Sequence, residues 1–137
     1  MRLIAIRPEY QLTVDPDKNR LFYQNFERMQ CATSLPHYLA DWEAALTEVS
    51  PGFCVLSDMQ VVNQTHGPLL CLFDAVAQRI RERGASLVAE VHVPGLPTRH
   101  YSDEITISHL LPVRHFLSVW EAAQFLDIQQ GVPVTAG

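Results

Sequence analysis

The sequence contains no apolar run close to the ~20 residues that a helix needs to cross a bilayer, and its first residues lack the apolar core of a signal peptide. It also lacks clustered cations: the 10 Lys and Arg residues are scattered, and 15 Asp and Glu residues leave a formal net charge of -5. Nucleic-acid binding depends on clustered positive charge that displaces counterions. We therefore expect a cytoplasmic protein with no membrane span and no nucleic-acid partner.

Motifs for catalysis and metal binding are absent as well. The 3 cysteines form no CxxC pair, which argues against a disulfide framework and against a thiolate zinc site. The 6 histidines show no His-x-x-x-His spacing, and the chain has no Gly-x-Ser-x-Gly elbow and no glycine loop that cradles phosphate. These absences predict that the protein is not an enzyme. We assign no metal ligands and expect no cofactor.

The chain does contain enough apolar material for one globular domain. Apolar residues make up 47% of the 137 residues and charged residues 18%, a balance that excludes a disordered chain. A chain of this length can bury a core without disulfides or metals. We expect a single domain over residues 1–137, with a core at about 10–127 and a flexible tail at 128–137.

The first third of the chain predicts a hairpin followed by a helix. Residues 10–15 and 20–28 are rich in Val, Leu, Phe and Tyr, and Pro16-Asp-Lys-Asn19 between them is typical of a turn. A helix is expected after Ser34, with Pro36 in its first turn, because apolar residues then recur every three or four positions.

The rest of the chain alternates strands with helices. A continuous apolar run at 53–56 predicts a buried strand, and the apolar stripe at 69–80 predicts a helix that Gly84 ends. Ser118-Val-Trp-Glu121 is a capping box that opens a last helix through residue 126. Two further strands are expected at 86–93 and 113–117, whereas residues 97–111 leave helix and strand both open.

This order predicts the fold class. Alternation after a hairpin favours an α/β fold: a mixed β-sheet with an N-terminal hairpin, later parallel strands, and helices packed on the sheet. In open α/β sheets, ligands and modifications collect where the carboxyl end of a strand meets the next helix. The loop from Asp58 to Gly67 lies at such a place.

Four stretches stand at characteristic places in this order: Pro51-Gly-Phe-Cys-Val-Leu-Ser-Asp58, Gln64-Thr-His-Gly67, Ile80-Arg-Glu-Arg-Gly-Ala-Ser-Leu87 and Ser118-Val-Trp-Glu-Ala-Ala123. Together with the element order of residues 19–127, they resemble the STAS domain family, especially the SpoIIAA-like subgroup of anti-sigma-factor antagonists. The resemblance implies a regulatory protein-interaction module of bacterial-type signalling. Its expected partner is a protein, such as an anti-sigma factor or a kinase.

The second of these stretches carries the expected switch. The family often has Asp-Ser-x-Gly at this point, and its Ser or Thr is the phosphorylated residue. Thr65 would occupy that position, Gly67 matches the glycine, and Gln64 replaces the usual aspartate. The resemblance therefore implies a contact surface at the loop from Asp58 to Leu70, with a phosphoacceptor at Thr65. The residues assigned to it are Asp58, Gln64, Thr65, His66 and Gly67.

The start of the following helix decides what the Thr65 hydroxyl does. If Gly67 is the N-cap and Pro68 the first helical residue, Thr65 lies just outside the helix with a free hydroxyl. The other possibility is a structural turn in which Thr65 itself caps the helix. Proline prefers the first helical position, so the Gly67 register is favoured.

The same edge of the sheet offers a second interpretation. Parallel strands would bring Asp58, His66 and His92 together, where they could hold a metal or a small anionic ligand, or form a solvated rim. Arg99 and His100 could line the other side of this rim. The alternative function is a carrier of a small apolar or anionic ligand, as in Sec14-like relatives of this architecture.

Self-association is a further expectation. Tyr10, Phe22, Tyr23 and Phe26 place aromatic side chains on both faces of the predicted hairpin. If one of these faces stays uncovered, it would favour a homodimer.

Overall fold

The structure is a computed structural model that describes residues 1–65, 67–93 and 110–131. Six strands, three α-helices and two short 3-10 turns lie within these ranges. The expectations for His66, Arg99 and His100, for most of the segment 97–111 and for the tail at 132–137 fall outside the described residues.

One mixed sheet organises the described residues. Its strands lie side by side in the order of the sequence: β1 (Arg2–Ile6), β2 (Tyr10–Asp15), β3 (Arg20–Asn25), β4 (Cys54–Asp58), β5 (Leu87–Val91) and β6 (Val113–Phe116). Neighbours among β1, β2 and β3 are antiparallel, whereas β3, β4, β5 and β6 run parallel. The predicted fold class is therefore confirmed as α/β, with an N-terminal hairpin and later parallel strands.

Helices cover both faces of this sheet. The helices are α1 (Tyr38–Leu46), α2 (Leu70–Arg83) and α3 (Val119–Gln129). α1 and α2 pack with the larger of two apolar clusters, and α3 packs with the smaller one. No helix among the described residues is long and apolar enough to span a membrane.

Alternation of side chains along each strand produces the two clusters. Val55 of β4 and Val88 of β5 belong to the cluster with α1 and α2. Leu56 and Ala89, the next residue of each strand, belong to the cluster with α3. Because both faces of β4 are covered, this strand is apolar without interruption at its start, which is the pattern that predicts it.

The aromatic residues of the hairpin are part of the core. Tyr10 and Tyr23 are 1% and 2% exposed, and their rings contact those of Tyr38 and Trp42. Phe22, on the opposite face of β3, packs against the cluster with α3. Both faces of β3 are therefore covered within one chain, and the homodimer stays a prediction.

The helix ends follow most of the predicted signals. Gly84 ends α2 in the left-handed region with a φ of 91°. Ser118 Oγ accepts a hydrogen bond from the Glu121 amide at 3.1 Å, as the capping box predicts. α3 then continues to Gln129, beyond the predicted end at 126. α1 begins at Tyr38, so Pro36 precedes the helix instead of lying in its first turn.

Two strands differ from the prediction. The sequence does not predict β1, which lies at the edge of the sheet, where Leu3 and Ile6 stay 54% and 59% exposed and no buried alternation marks the strand. β3 ends at Asn25, before the predicted end at 28, because the 3-10 turn Glu27–Cys31 follows it. Asn25 Nδ2 donates to the Val61 carbonyl at 2.9 Å, which joins this end of β3 to the loop after β4.

A buried polar contact ties α1 to the first two strands. Asp41 of α1 accepts a hydrogen bond from the Tyr10 hydroxyl at 2.5 Å and two from the Arg7 guanidinium, at 3.0 and 2.9 Å. Burial alone would raise the pKa of Asp41, but the hydrogen bonds from Arg7 and Tyr10 outweigh it and hold this pKa below the ordinary value of 3.8. The carboxylate is thus stabilised in its charged form.

This contact predicts a pH-dependent loss of stability in Asp41→Asn. A carboxyl group with a lowered folded pKa stabilises the protein above its unfolded pKa of about 3.9, and the effect is lost as the pH falls through the folded value. The bond from Tyr10 to a charged acceptor alone contributes about 1.5–3 kcal/mol. We expect urea unfolding to give Asp41→Asn a free energy of unfolding lower than that of the parent protein by about this amount at neutral pH. The difference should shrink as the pH falls towards about 3.

Asp17→Asn is the matched control, because Asp17 lies exposed in the turn between β2 and β3. It should change the free energy of unfolding by less than about 0.5 kcal/mol at either pH. The proposed role of the carboxylate would be contradicted if both variants lowered the free energy of unfolding equally, or if the decrease for Asp41→Asn did not depend on pH.

Candidate functional site

The loop after β4 begins with a local hydrogen-bonded turn at Asp58. This side chain is buried, and its Oδ1 accepts hydrogen bonds from the Gln60 amide and from Gln60 Nε2, both at 3.1 Å. Asp58 pairs with Val91 in the sheet, so it lies on the face that α3 covers. The carboxylate therefore shapes the turn at the start of the loop.

Asn63 fastens the middle of the loop to a distant segment. Its Nδ2 donates to the Met29 and Ala32 carbonyls, both at 2.8 Å, and the side chain is buried. The Gln64 amide donates to the Gln30 carbonyl at 2.9 Å, which adds a main-chain contact to the same segment. We call residues 29–32 the anchor segment. It includes most of the 3-10 turn after β3.

Thr65 completes this attachment. Its Oγ1 lies 2.9 Å from the Ala32 carbonyl oxygen and 2.6 Å from Asn63 Oδ1, and the Thr65 amide donates to the same Asn63 oxygen at 3.0 Å. The hydroxyl has one proton, so it serves one of these two acceptors at a time. Thr65 is half-buried.

The predicted helix start is partly correct. Thr65 lies outside α2 and does not cap it, as the Gly67 register predicts. The prediction of a free hydroxyl is wrong, because the hydroxyl faces Ala32 and Asn63. Gly67 and Pro68 belong to a 3-10 turn (Gly67–Leu69), and α2 begins at Leu70 without a side-chain cap.

The expected meeting of Asp58 with His92 does not occur. The two residues leave neighbouring strands at the same edge, but Asp58 lies on the side of α3, whereas His92 continues the row of β5 side chains that face α1 and α2. Asp58 is bonded to Gln60, and His92 Nε2 lies 3.2 Å from Glu90 Oε1. The described contacts therefore place Asp58 and His92 on opposite faces of the sheet, each with its own partner.

His92 belongs to a cluster that is not among the predictions made from the sequence. Glu90 and His92 are two positions apart and point to the same face, and Glu90 is the register partner of His115 on β6. His115 Nδ1 lies 3.8 Å from Glu90 Oε1, and the imidazole rings of His92 and His115 are 5.2 Å apart. We call these three residues the Glu90 cluster.

The Glu90 cluster is shielded from solvent. The exposed fractions of the His92, Glu90 and His115 side chains are 5%, 13% and 23%. Burial raises the pKa of the nearby Tyr38 hydroxyl to about 12, and the negative charge of Glu90 adds to this rise. The signals that could have found the cluster are the Glu-x-His spacing in one strand and a His in the next strand.

Comparison of the chain with protein-family models, with curated proteins and with solved structures gave no match. The two sites described above, the loop held by the anchor segment and the Glu90 cluster, are therefore the basis on which function is argued.

The attachment of the loop predicts a specific effect of Asn63→Ala. The substitution leaves the Met29 and Ala32 carbonyls without the amide donor and removes the acceptor of the Thr65 amide. We expect the free energy of unfolding to fall by about 1–3 kcal/mol, and amide hydrogen exchange of residues 63–65 to become faster. Gln64→Ala is the control, since the neighbouring Gln64 side chain is exposed. Equal exchange rates in the two variants would show that Asn63 does not hold the loop.

Proposed function

We propose that the protein is a non-enzymatic regulatory module of the STAS kind, which acts by contacting another protein. The contact surface would be the loop from Asp58 to Leu70, between β4 and α2. Gln64, Gly67 and Pro68 are exposed there, and Leu70 is 42% exposed, so an apolar side chain stands beside polar groups. A surface of mixed polarity suits a non-obligate protein contact.

The observation that carries this proposal is the environment of the Thr65 hydroxyl. Ala32 O and Asn63 Oδ1 are both acceptors, so the loop is held at this point by the one proton that Thr65 donates. A residue whose only role was to end a turn would not need to reach the anchor segment. This contact supports a switch in which a change in the chemical state of Thr65 would alter the position of the loop.

Phosphorylation of Thr65 would replace this hydrogen-bonded attraction by electrostatic repulsion. A phosphate carries about -1.5 to -2 charges near neutral pH and offers oxygen acceptors in place of the hydroxyl donor. It would face the two oxygens that now accept from Thr65, and repulsion would release the loop from the anchor segment. The first turn of α2 contains no acidic side chain, so the positive end of its dipole would favour a phosphate after release.

The resemblance to the anti-sigma-factor antagonists indicates which class of protein would bind this loop. In the proposed mechanism the unmodified loop binds a protein of the anti-sigma-factor or kinase type, and the modified loop does not. Gln64 replaces the aspartate that often precedes the phosphoacceptor in that family, so a kinase for this chain would read an uncharged residue at that point.

The alternative, a carrier of a small ligand, has less support among the described contacts. An open groove between α1 and α2 is lined by Glu43, Leu46, Thr47, Arg79, Glu82 and Arg83. Arg79 Nε pairs with Glu43 Oε1 across this groove at 3.3 Å. Because this groove is open, it would not bury most of the surface of a small apolar or anionic ligand, as ligand pockets do.

The Thr65 contact can be tested with three variants. Thr65→Val keeps the shape but removes the donor, so it should lower the free energy of unfolding by about 0.5–1.5 kcal/mol. Thr65→Ser keeps the hydroxyl donor, so its free energy of unfolding should stay close to that of the parent protein. Phosphoserine incorporated at position 65 should increase amide hydrogen exchange in residues 29–32 and 63–65 more than valine does. Unchanged exchange in the phosphoserine protein would contradict the switch.

Contact with a partner can be tested by photo-crosslinking in extracts of the cells that produce the protein. A photoreactive residue replaces the exposed Gln64 in one sample and the exposed Glu121 of α3 in the control. We expect one protein to be captured from position 64, to be absent from the control, and to be lost when position 65 carries phosphoserine. Equal capture at both positions would contradict the proposed surface. In a separate measurement, native mass spectrometry of the purified protein, a retained small molecule would favour the carrier function.

A further inference from the structure

We propose that the Glu90 cluster binds one divalent transition-metal ion, with zinc as the representative. The cluster lies on the face of the sheet that α1 and α2 cover, and its residues come from β5, the position just after β5, and β6, whereas the contact surface is the loop after β4. The metal proposal and the contact function are therefore independent, and either can fail without the other.

The sheet itself brings the three ligands together. Glu90 and His92 project from the same face of β5 and its end, and the parallel register places His115 beside Glu90. Strand pairing therefore sets the main-chain positions of Glu90 and His115, and the His92 amide bonded to the Phe116 carbonyl extends this pairing to His92. A site built on strands holds its ligands more rigidly than a site built on loops.

The distances between the ligand atoms suit a metal ion. The carboxylate oxygen of Glu90 lies 3.2 Å from His92 Nε2 and 3.8 Å from His115 Nδ1. All three candidate atoms lie within 4.8 Å of one another. In a tetrahedral site with bonds of about 2.1 Å, the ligand atoms are about 3.4 Å apart. An ion would therefore need only small side-chain adjustments to reach all three residues.

Burial gives the cluster a reason to take up a cation. The Glu90 side chain is 13% exposed, and a carboxylate that has lost most of its water is costly unless positive charge compensates for it. His92 and His115 can offer lone pairs to an ion, and the positive charge of the ion would stabilise the Glu90 carboxylate.

The ligand types determine which ions fit. Two imidazole nitrogens and one carboxylate oxygen form a set that zinc and other divalent transition metals accept, and that leaves at least one coordination position for water or a ligand. Calcium and magnesium prefer sites made of oxygen atoms. The expected order of affinity therefore places zinc and cobalt far above calcium and magnesium.

Metal titration of the full chain tests the proposal. Cys31 and Cys71 are exposed thiols that would bind zinc themselves, so the parent for this experiment carries Cys31→Ser and Cys71→Ser. After chelation and desalting, calorimetric titration should show one zinc ion per chain and no binding of calcium or magnesium. Zinc should also raise the melting temperature, because it binds the folded state.

Substitutions in the cluster provide the comparison. Glu90→Gln and His115→Gln should each weaken zinc binding by at least about tenfold, and His37→Gln, at an exposed histidine before α1, should leave it unchanged. Near-ultraviolet circular dichroism checks that each variant keeps its buried aromatic core. Absence of zinc binding in the parent, or equal binding in all variants, would overturn the proposal.

A measurement on the parent with Cys31→Ser and Cys71→Ser, in which the Glu90 cluster is intact, covers the case in which a cluster variant fails to fold. X-ray absorption of the zinc-loaded protein should show nitrogen and oxygen ligands with the scattering of two imidazoles. A ligand shell without imidazole scattering would overturn the assignment to Glu90, His92 and His115.

Discussion

The fixed register of four parallel strands is the constraint on which the Glu90 cluster depends. Tyr23, Ser57, Glu90 and His115 are successive partners across β3, β4, β5 and β6, so they form one row on the face beneath α1 and α2. Side chains alternate along a strand, so a slip of one residue would turn a whole strand over. The position of His115 beside Glu90 is thus a consequence of strand pairing, and it does not require contacts from a loop.

The same pairing sets the starting point of the loop. The Met59 amide donates to the Val91 carbonyl at 2.9 Å, and the His92 amide donates to the Phe116 carbonyl at 3.1 Å, so the pairing continues just beyond the strand ends. From this edge the chain turns to the anchor segment, where Asn63 holds it. The two sites differ in kind: the loop binds the main chain of another segment, whereas the Glu90 cluster joins three side chains of one sheet face.

Much of the fold could be predicted because it follows from local patterns. The hairpin turn, the apolar run of β4, the glycine at the end of α2 and the capping box of α3 each depend on residues that are close in sequence. β1 was not predicted because it lies at an edge of the sheet, where its apolar side chains stay mostly exposed. The site was harder: the Thr65 bond to Ala32 and the pairing of Glu90 with His115 join distant parts of the chain, and no periodicity encodes such contacts.

The register is therefore the claim to test, and nuclear Overhauser effects between the histidine rings test it most directly. The rings of His92 and His115 are 5.2 Å apart in the structure, so cross-peaks between their ring protons should be observed, with His115 also close to Glu90. A slip of one residue in the pairing of β5 with β6 would carry His115 to the other face. Cross-peaks from His115 to Leu126 of α3, with none to His92, would contradict the account.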